Sequence, residues 1–448
     1  MKNINSRPVS MKIKRIIKAL SVLIISLIAY TSLSAETLDN DNNYDAIFLN
    51  NEKEKFIIQN GDLPVNEIVI HGIKKTSPSV ILSRITIKNG DPLSAFNPYD
   101  AVNNLKKTNL FSDITISYNR NGDSVDIIIS LKEKWTLIPI PMYSSNKHGT
   151  SYGLYLMETN FLGYGKTIFT GGIYSPESKK LIIGYIDQSI LNSNFRGAIF
   201  LSHKDEIYQK GDSDYNIFSK YKASKTLLRV DAGYSFSDAI KIFAASGFWK
   251  TNLDYSYNEG LNVPEEMSNY LTGIIARYEN TYHNEYLYFG TKVELTTMSY
   301  IPMNNNSEYF NVTTYKGEYN HKITPQARLN FFSSGGYGNR PSIFEENIGG
   351  KPGARTLPAD ILCVDDFINW TLSFEQIAFK FKWGVVTVLA FFEGGFYKND
   401  YETSHYYGPG IGTLVYLKNI ALPAMGFNIA KNLHSGYNEF SVNIGMSF

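Results

Sequence analysis

Glu439-Phe440-Ser441-Val442-Asn443-Ile444-Gly445-Met446-Ser447-Phe448 ends the sequence, and its reading decides the fold. Side chains of an extended strand alternate between two faces. Phe440, Val442, Ile444, Met446 and Phe448 therefore share one face, and Glu439, Ser441, Asn443, Gly445 and Ser447 share the other. The pattern recurs upstream. In Phe367 to Gln376, Ile368, Trp370, Leu372 and Phe374 oppose Asn369, Thr371, Ser373 and Glu375; in Thr291 to Thr297, Val293 and Leu295 oppose Lys292 and Glu294. A water-soluble sandwich also alternates. Length separates the two: these segments run about 9 to 12 residues, the span of a tilted membrane strand, against about 5 to 6 for a soluble one. Apolar residues then face lipid and polar ones a lumen.

From Trp135 onward no helical period appears, only alternating stretches between polar or Gly-rich turns. They number 16 or 17, depending on whether Tyr215 to Ala223 is a strand of its own or an extension of its neighbour. Single-chain bacterial barrels have even strand numbers, which selects 16. The expected fold is a transmembrane antiparallel β-barrel over residues 135–448, preceded by one small α+β domain over 64–134. That domain reads as a strand from Asn66 to Ile73, a short helix from Pro78 to Ile85, a second helix opening at Asn97, and strands Asp113 to Tyr118 and Ser124 to Leu131 joined by a turn at Asn119-Arg120-Asn121-Gly122.

Residues 36–63 are polar without a sustained period, which predicts a flexible leader. Before them, Lys2, Arg7, Lys12, Lys14, Arg15 and Lys18 precede an apolar run from Ala19 to Tyr30 and the small residues Ser32, Ser34 and Ala35. That order predicts a signal peptide over 1–35, with Met1 or Met11 as its start. A retained anchor helix needs about 20 apolar residues, more than this run supplies.

Composition narrows the function classes. The 448 residues carry net charge +1, with 32 Tyr, 27 Phe and a single Cys. A nucleic-acid binder concentrates basic residues, and no such excess exists. One cysteine supplies neither an intramolecular disulfide nor a zinc cluster, and no cofactor is expected. The seven histidines are scattered, with no two within four positions, so no zinc-protease pair is present. A barrel-rim hydrolase is the enzyme alternative, and the reading is not an enzyme. Gly408-Pro409-Gly410-Ile411-Gly412 reads as small residues in a strand rather than a phosphate loop, since no helix follows it.

Four stretches in order resemble the BamA/TamA type of outer-membrane assembly protein, the bacterial surface-antigen superfamily. Residues 64–134 resemble one POTRA domain through Ile68-Val69-Ile70-His71-Gly72, Ile87-Lys88-Asn89-Gly90-Asp91, Leu105 to Asp113, and Leu131-Lys132-Glu133-Lys134. Asn160-Phe161-Leu162-Gly163-Tyr164-Gly165 is similar to the family's early hairpin, and Phe440 to Phe448 to its final strand, an assembly signal formed by Phe440, Val442, Ile444, Met446 and Phe448. Gly349 to Leu357 matches the position of a loop that carries Arg-Gly-aromatic, with Thr356 and Leu357 in place of the last two. The resemblance implies that this loop folds into the barrel and that Arg355 meets acids on the wall. Alternation points Glu375 and Glu393 inward, and a guanidinium fork suits carboxylates.

The resemblance further implies an outer-membrane protein that assists insertion or translocation of polypeptides, with the POTRA domain docking clients in the periplasm. A single such domain suits a specialised or accessory member, or an exporter; an outer-membrane pore without assembly activity is the alternative. Expected partners are outer-membrane lipid, unfolded or periplasmic client polypeptides, and accessory periplasmic or lipoprotein subunits. Within the first strand, Trp135 to Ser144, Pro139 and Pro141 lack N–H groups on one edge. That edge is expected to face the last strand, as a lateral seam involving Met142 and Asn443.

Overall fold

The computed structural model describes residues 51–108, 110–146, 149–213, 215–259, 265–284, 286–358, 362–399, 402–417 and 423–444. The signal segment 1–35, the leader as far as residue 50, and Met446 and Phe448 lie outside the described residues.

The N-terminal unit is built from α1 (Asn51–Asn60), β1 (Val65–His71), α2 (Pro78–Leu82), α3 (Pro98–Lys107), β2 (Phe111–Asn121) and β3 (Ser124–Glu133). Strand order is β1-β3-β2, with β1 parallel and β2 antiparallel to β3. The Asn97 side chain accepts from the Tyr99 and Asp100 amides, and Pro98 opens the helix, so α3 starts where its N-cap stands. Val102 and Leu105 of α3 close over Ile116, Ile127 and Ile129.

Two details depart from the sequence reading. The hairpin turn is Gly122-Asp123, because β2 runs three residues past Tyr118, to Asn121, in ladder with β3, which starts at Ser124 as read. Part of the expected leader, Asn51–Asn60, is helical. Phe56 and Ile57 of this helix pack against the core, Phe56 stacking on Tyr118 at 5.3 Å, while Ile58 stays exposed. Three adjacent apolar residues give no 3.6 period, yet two suffice to seat one helical turn.

The same compact unit includes the hairpin tip 158–167. Asn160 Nδ2 donates to Thr76 Oγ1 at 2.9 Å, and the Ser77 amide donates to Gly163 O at 2.8 Å. Gly163 has φ +80, and a Cβ there would lie 2.2 Å from Lys75 O, so only glycine fits. Glu133 holds the segment from its other side, accepting from the amides of Thr76 (2.7 Å) and Lys75 (3.1 Å). Partial burial alone would raise its carboxyl pKa, but these bonds hold it below the usual carboxylate range.

The second unit is a closed antiparallel barrel of 16 strands. These are β4 (Leu137–Asn146), β5 (Gly149–Phe161), β6 (Lys166–Tyr174), β7 (Ser178–Asp187), β8 (Phe195–Gly211), β9 (Ile217–Ser235), β10 (Ile240–Glu259), β11 (Glu266–Asn284), β12 (Leu287–Pro302), β13 (Phe310–Thr324) and β14 (Ala327–Gly338), then β17 to β21 after a long loop. Within that loop, β15 (Glu346–Asn347) pairs with β16 (Cys363–Val364). The remaining wall strands are β17 (Asp366–Phe381), β18 (Gly384–Lys398), β19 (Thr403–Leu417), β20 (Pro423–Lys431) and β21 (Asn438–Ile444).

Tyr215 to Ala223 is no separate strand: residues 217–235 form one strand, β9, which settles the number at 16. Strands β9 and β10 reach 19 and 20 residues, and their pairing runs as far as Lys220 with Glu259. Alternation holds as read from Asn369 onward in β17, while Ile368, expected on the lipid face, is buried. In β17, Asn369, Thr371, Ser373 and Glu375 are buried, whereas Leu372 and Phe374 are exposed; in β21, Glu439 is buried and Phe440 exposed. Residues 408–412 lie inside β19, in ladder with both neighbours.

Candidate functional site

The loop 339–365 brings the chain back against inward-facing wall residues. Ile348, Ala354, Leu357, Leu362 and Val364 of the loop form one buried cluster with Phe367, Tyr397 and Tyr406 of the wall. Gly353 has φ +92, and a Cβ there would stand 2.9 Å from the Asn369 Cβ, so this bend needs glycine. The Tyr406 hydroxyl sits 2.5 Å from Gly353 O and 2.7 Å from Asn369 Oδ1, tying loop and wall together.

Arg355 lies at the centre of this contact. Its Nε donates to Glu393 Oε2 at 3.1 Å, and the neighbouring Thr356 amide donates to Oε1 at 2.7 Å. The guanidinium carbon stands 3.5 Å from the centroid of the Phe391 ring, two residues along the same face of β18. Glu393 itself is fully buried. A buried carboxylate requires a counter-charge and hydrogen bonds to remain ionised; here the loop supplies both.

Glu375, the other acid expected to meet Arg355, does not. It belongs to the wall: Arg328 of β14 donates to its Oε2 from Nε at 2.8 Å and from the second guanidinium nitrogen at 2.7 Å. Thr387 Oγ1 and the Tyr416 hydroxyl donate to Oε1 at 2.7 and 2.9 Å. Arg328 is directly opposite Glu375 in the β14–β17 ladder. Sequence reasoning placed Glu375 on the correct face and gave it the wrong partner. Arg328 shares the inward parity of Asn330, the only signal available; its partner depends on a register set across the long loop.

Where the barrel closes, β21 runs antiparallel to β4. The described pairs are Val442 with Ser145, Asn443 with Ser144 and Ile444 with Tyr143. Asn443 thus lies opposite Ser144, not Met142. Pro139 and Pro141 lie within β4, so the barrel begins before them. In the small domain, β2 pairs with β3 alone among the described residues, leaving its other edge open, while the start of β1 is bonded to residues 90–92. Among the described residues no three His, Cys, Asp or Glu side chains stand together as a metal site.

Comparison with known proteins agrees with these features. The family model described as POTRA, surface antigen variable number repeat, matches residues 63–134. A "Putative outer membrane protein assembly factor" of Treponema pallidum (strain Nichols) is 28% identical over 194 residues, which is 38% of this chain and 23% of that protein. The match therefore spans about a quarter of the relative's length. Among solved structures, BamA from Haemophilus ducreyi lacking POTRA domains 1–3 superposes with TM-score 0.59 at 15% identity, covering 85% of this chain and 84% of that one. CdiB from Escherichia coli superposes with TM-score 0.61 at 12% identity, covering 86% and 76%. At such identities the likeness is one of fold. The chain thus carries a POTRA domain over residues 63–134, is similar over part of its length to an outer-membrane assembly factor, and shares its barrel fold with BamA and CdiB.

Proposed function

We propose that this protein assists insertion or translocation of polypeptides at a bacterial outer membrane, with its POTRA domain in the periplasm receiving clients and the barrel opening at the β4–β21 seam. The observation that carries the reading is the combination of a POTRA domain with a barrel whose lumen holds a wall-bound loop. A passive pore has no use for the POTRA domain.

Three features support the mechanism. The open edge of β2 offers main-chain donors and acceptors, so an extended client can add a strand without regard to its side chains. Arg355, through Glu393, holds the loop in the lumen, so the barrel stays closed to small solutes while its wall opens. At the seam, Thr136 O accepts from the Thr159 amide at 3.1 Å. Successive backbone groups alternate edges, so Ile138, Ile140 and Met142 address β5, and Pro139 and Pro141 turn their donor-free nitrogens to the other edge, the one on which Tyr143 and Ser145 meet β21. A closing edge short of donors parts at lower cost and can template a client strand. Client polypeptides and outer-membrane lipid are the partners this requires; accessory subunits would add to the same periplasmic surface.

The test is depletion of the protein in its own cells followed by quantitation of the outer-membrane protein inventory. Loss of one or more barrel proteins or exported polypeptides, restored by re-expression, is the expected result. An unchanged inventory with altered small-solute uptake would instead assign a pore.

A further inference from the structure

The loop touches the wall a second time, on other strands. Lys210 of β8 meets Glu345 of the loop, Nζ to Oε2, at 2.7 Å, with both side chains almost fully removed from solvent. Lys225 of β9 donates to Ile343 O at 2.8 Å while lying 4.0 Å from the Tyr208 ring. Phe344 packs between Trp249 of β10 and Phe310 of β13, at 5.3 and 4.6 Å. Cys363, at the far end of the loop, approaches Gln209 O with its Sγ at 3.6 Å.

The barrel order sets the geometry of these contacts. From β8 to β18, which carries Glu393, is eight strands in either direction around the ring of 16. The two ion pairs therefore engage strands well separated in ladder order, although the segment just after β8 also reaches the turn between β18 and β19, where Ser213 Oγ donates to Glu402 Oε2 at 2.9 Å. A pair buried in this way is a costly means of gaining stability, since desolvation of two charges consumes most of their attraction. Its return is register, because neither charge tolerates a shifted partner.

We propose that the loop is anchored at two places, and that Lys210 and Glu345 are a second positioning pair, which seats the loop on β8 in addition to Arg355. Its consequence for closure rests on the plug reading above, but the anchoring is measurable without it.

Cys363, the chain's only cysteine, lies against Gln209 of β8, next to Lys210, and its neighbours Leu362 and Val364 join the cluster around Ala354, so an Arg355 variant is the control that separates the two ends. It is buried, and burial pushes its thiol up to about 12, so it should react slowly with a maleimide in the folded full-length protein. Lys210→Glu and Glu345→Lys should each speed labelling by about tenfold or more, because local opening governs access. The double variant should return to within about threefold of the parent, as expected of a direct pair. Should Lys210→Glu fail to give a heat-modifiable barrel, Glu345→Gln, which leaves every wall strand intact, gives the same readout. Arg355→Gln should raise single-channel conductance in a planar bilayer and leave Cys363 protected. If Arg355→Gln keeps the barrel closed but Lys210→Glu exposes Cys363, the plug reading fails and the second anchor stands. Protected Cys363 in a folded Glu345→Gln barrel would overturn the proposal. So would a double variant as reactive as the singles, or exposure of Cys363 by Arg355→Gln to the same degree.

Discussion

Glu375 and Glu393 lie on neighbouring strands, face the same lumen and are equally buried, yet they are held in opposite ways. Every partner of Glu375 comes from the wall: Arg328, Thr387 and Tyr416. Glu393 takes its counter-charge and its shortest hydrogen bond from the loop, and among the described residues Thr371 alone donates to it from the wall, at 3.5 Å. One acid is part of the barrel's construction. The other is a socket that the loop fills. Charge on a lumen face therefore says little about role until the element carrying the counter-ion is known.

The comparison is most sharply broken by removing each arginine. Arg328→Ala leaves Glu375 buried in a wall that cannot move, and stranding a buried charge costs about 3–5 kcal/mol. The expected result is loss of the heat-modifiable barrel, or a large fall in its denaturation midpoint in detergent. Arg355→Glu should be milder. The loop can withdraw and admit water to Glu393, so the cost is about 1.5–3 kcal/mol, the range for hydrogen bonds to a charged group, and the barrel should still assemble. Pairing it with Glu393→Arg should recover closure in conductance measurements, whereas pairing it with Glu375→Arg should not. Equal rescue by both, or by neither, would deny that Arg355 has a specific socket.

A third carboxylate, outside the barrel, gives the smallest effect. Glu133 is held below the usual carboxylate range by the Thr76 and Lys75 amides. A carboxyl whose pKa is depressed by folding contributes stability above its unfolded pKa, and that contribution disappears as pH falls through the folded value. Amide exchange at Thr76 in the full chain should accordingly lose relative protection only under acid conditions. Glu133→Gln should weaken protection at neutral pH by about 0.5–1 kcal/mol and remove this acid dependence. Identical pH behaviour of parent and variant would show that the carboxylate does not hold the segment.

How much of this was legible in the sequence follows from the range of each signal. Parity is local, so Phe440 against Glu439, and Leu372 against Ser373 and Glu375, already declared their faces. Strand number followed from the same alternation, with Tyr215 to Ala223 the one ambiguous stretch, resolved by its continuity with the rest of β9. Register is not local. Arg328 meets Glu375, and Lys210 meets Glu345, only because of how strands and loop are aligned across long intervals of chain, and no periodicity within either segment encodes that. Helix α1 escaped for a different reason: its contact with the core consists of Phe56 and Ile57 alone, too few residues to establish a period.

The most direct test of the proposed mechanism is a lock across the seam. With Cys363→Ser as background, cysteines at positions 144 and 443, which the β4–β21 register sets opposite one another, should form a disulfide that closes the barrel edge. In a strain depleted of the parent protein, the oxidised variant should fail to restore the outer-membrane protein inventory, and reductant should restore it. Full restoration by a completely cross-linked barrel would contradict lateral opening.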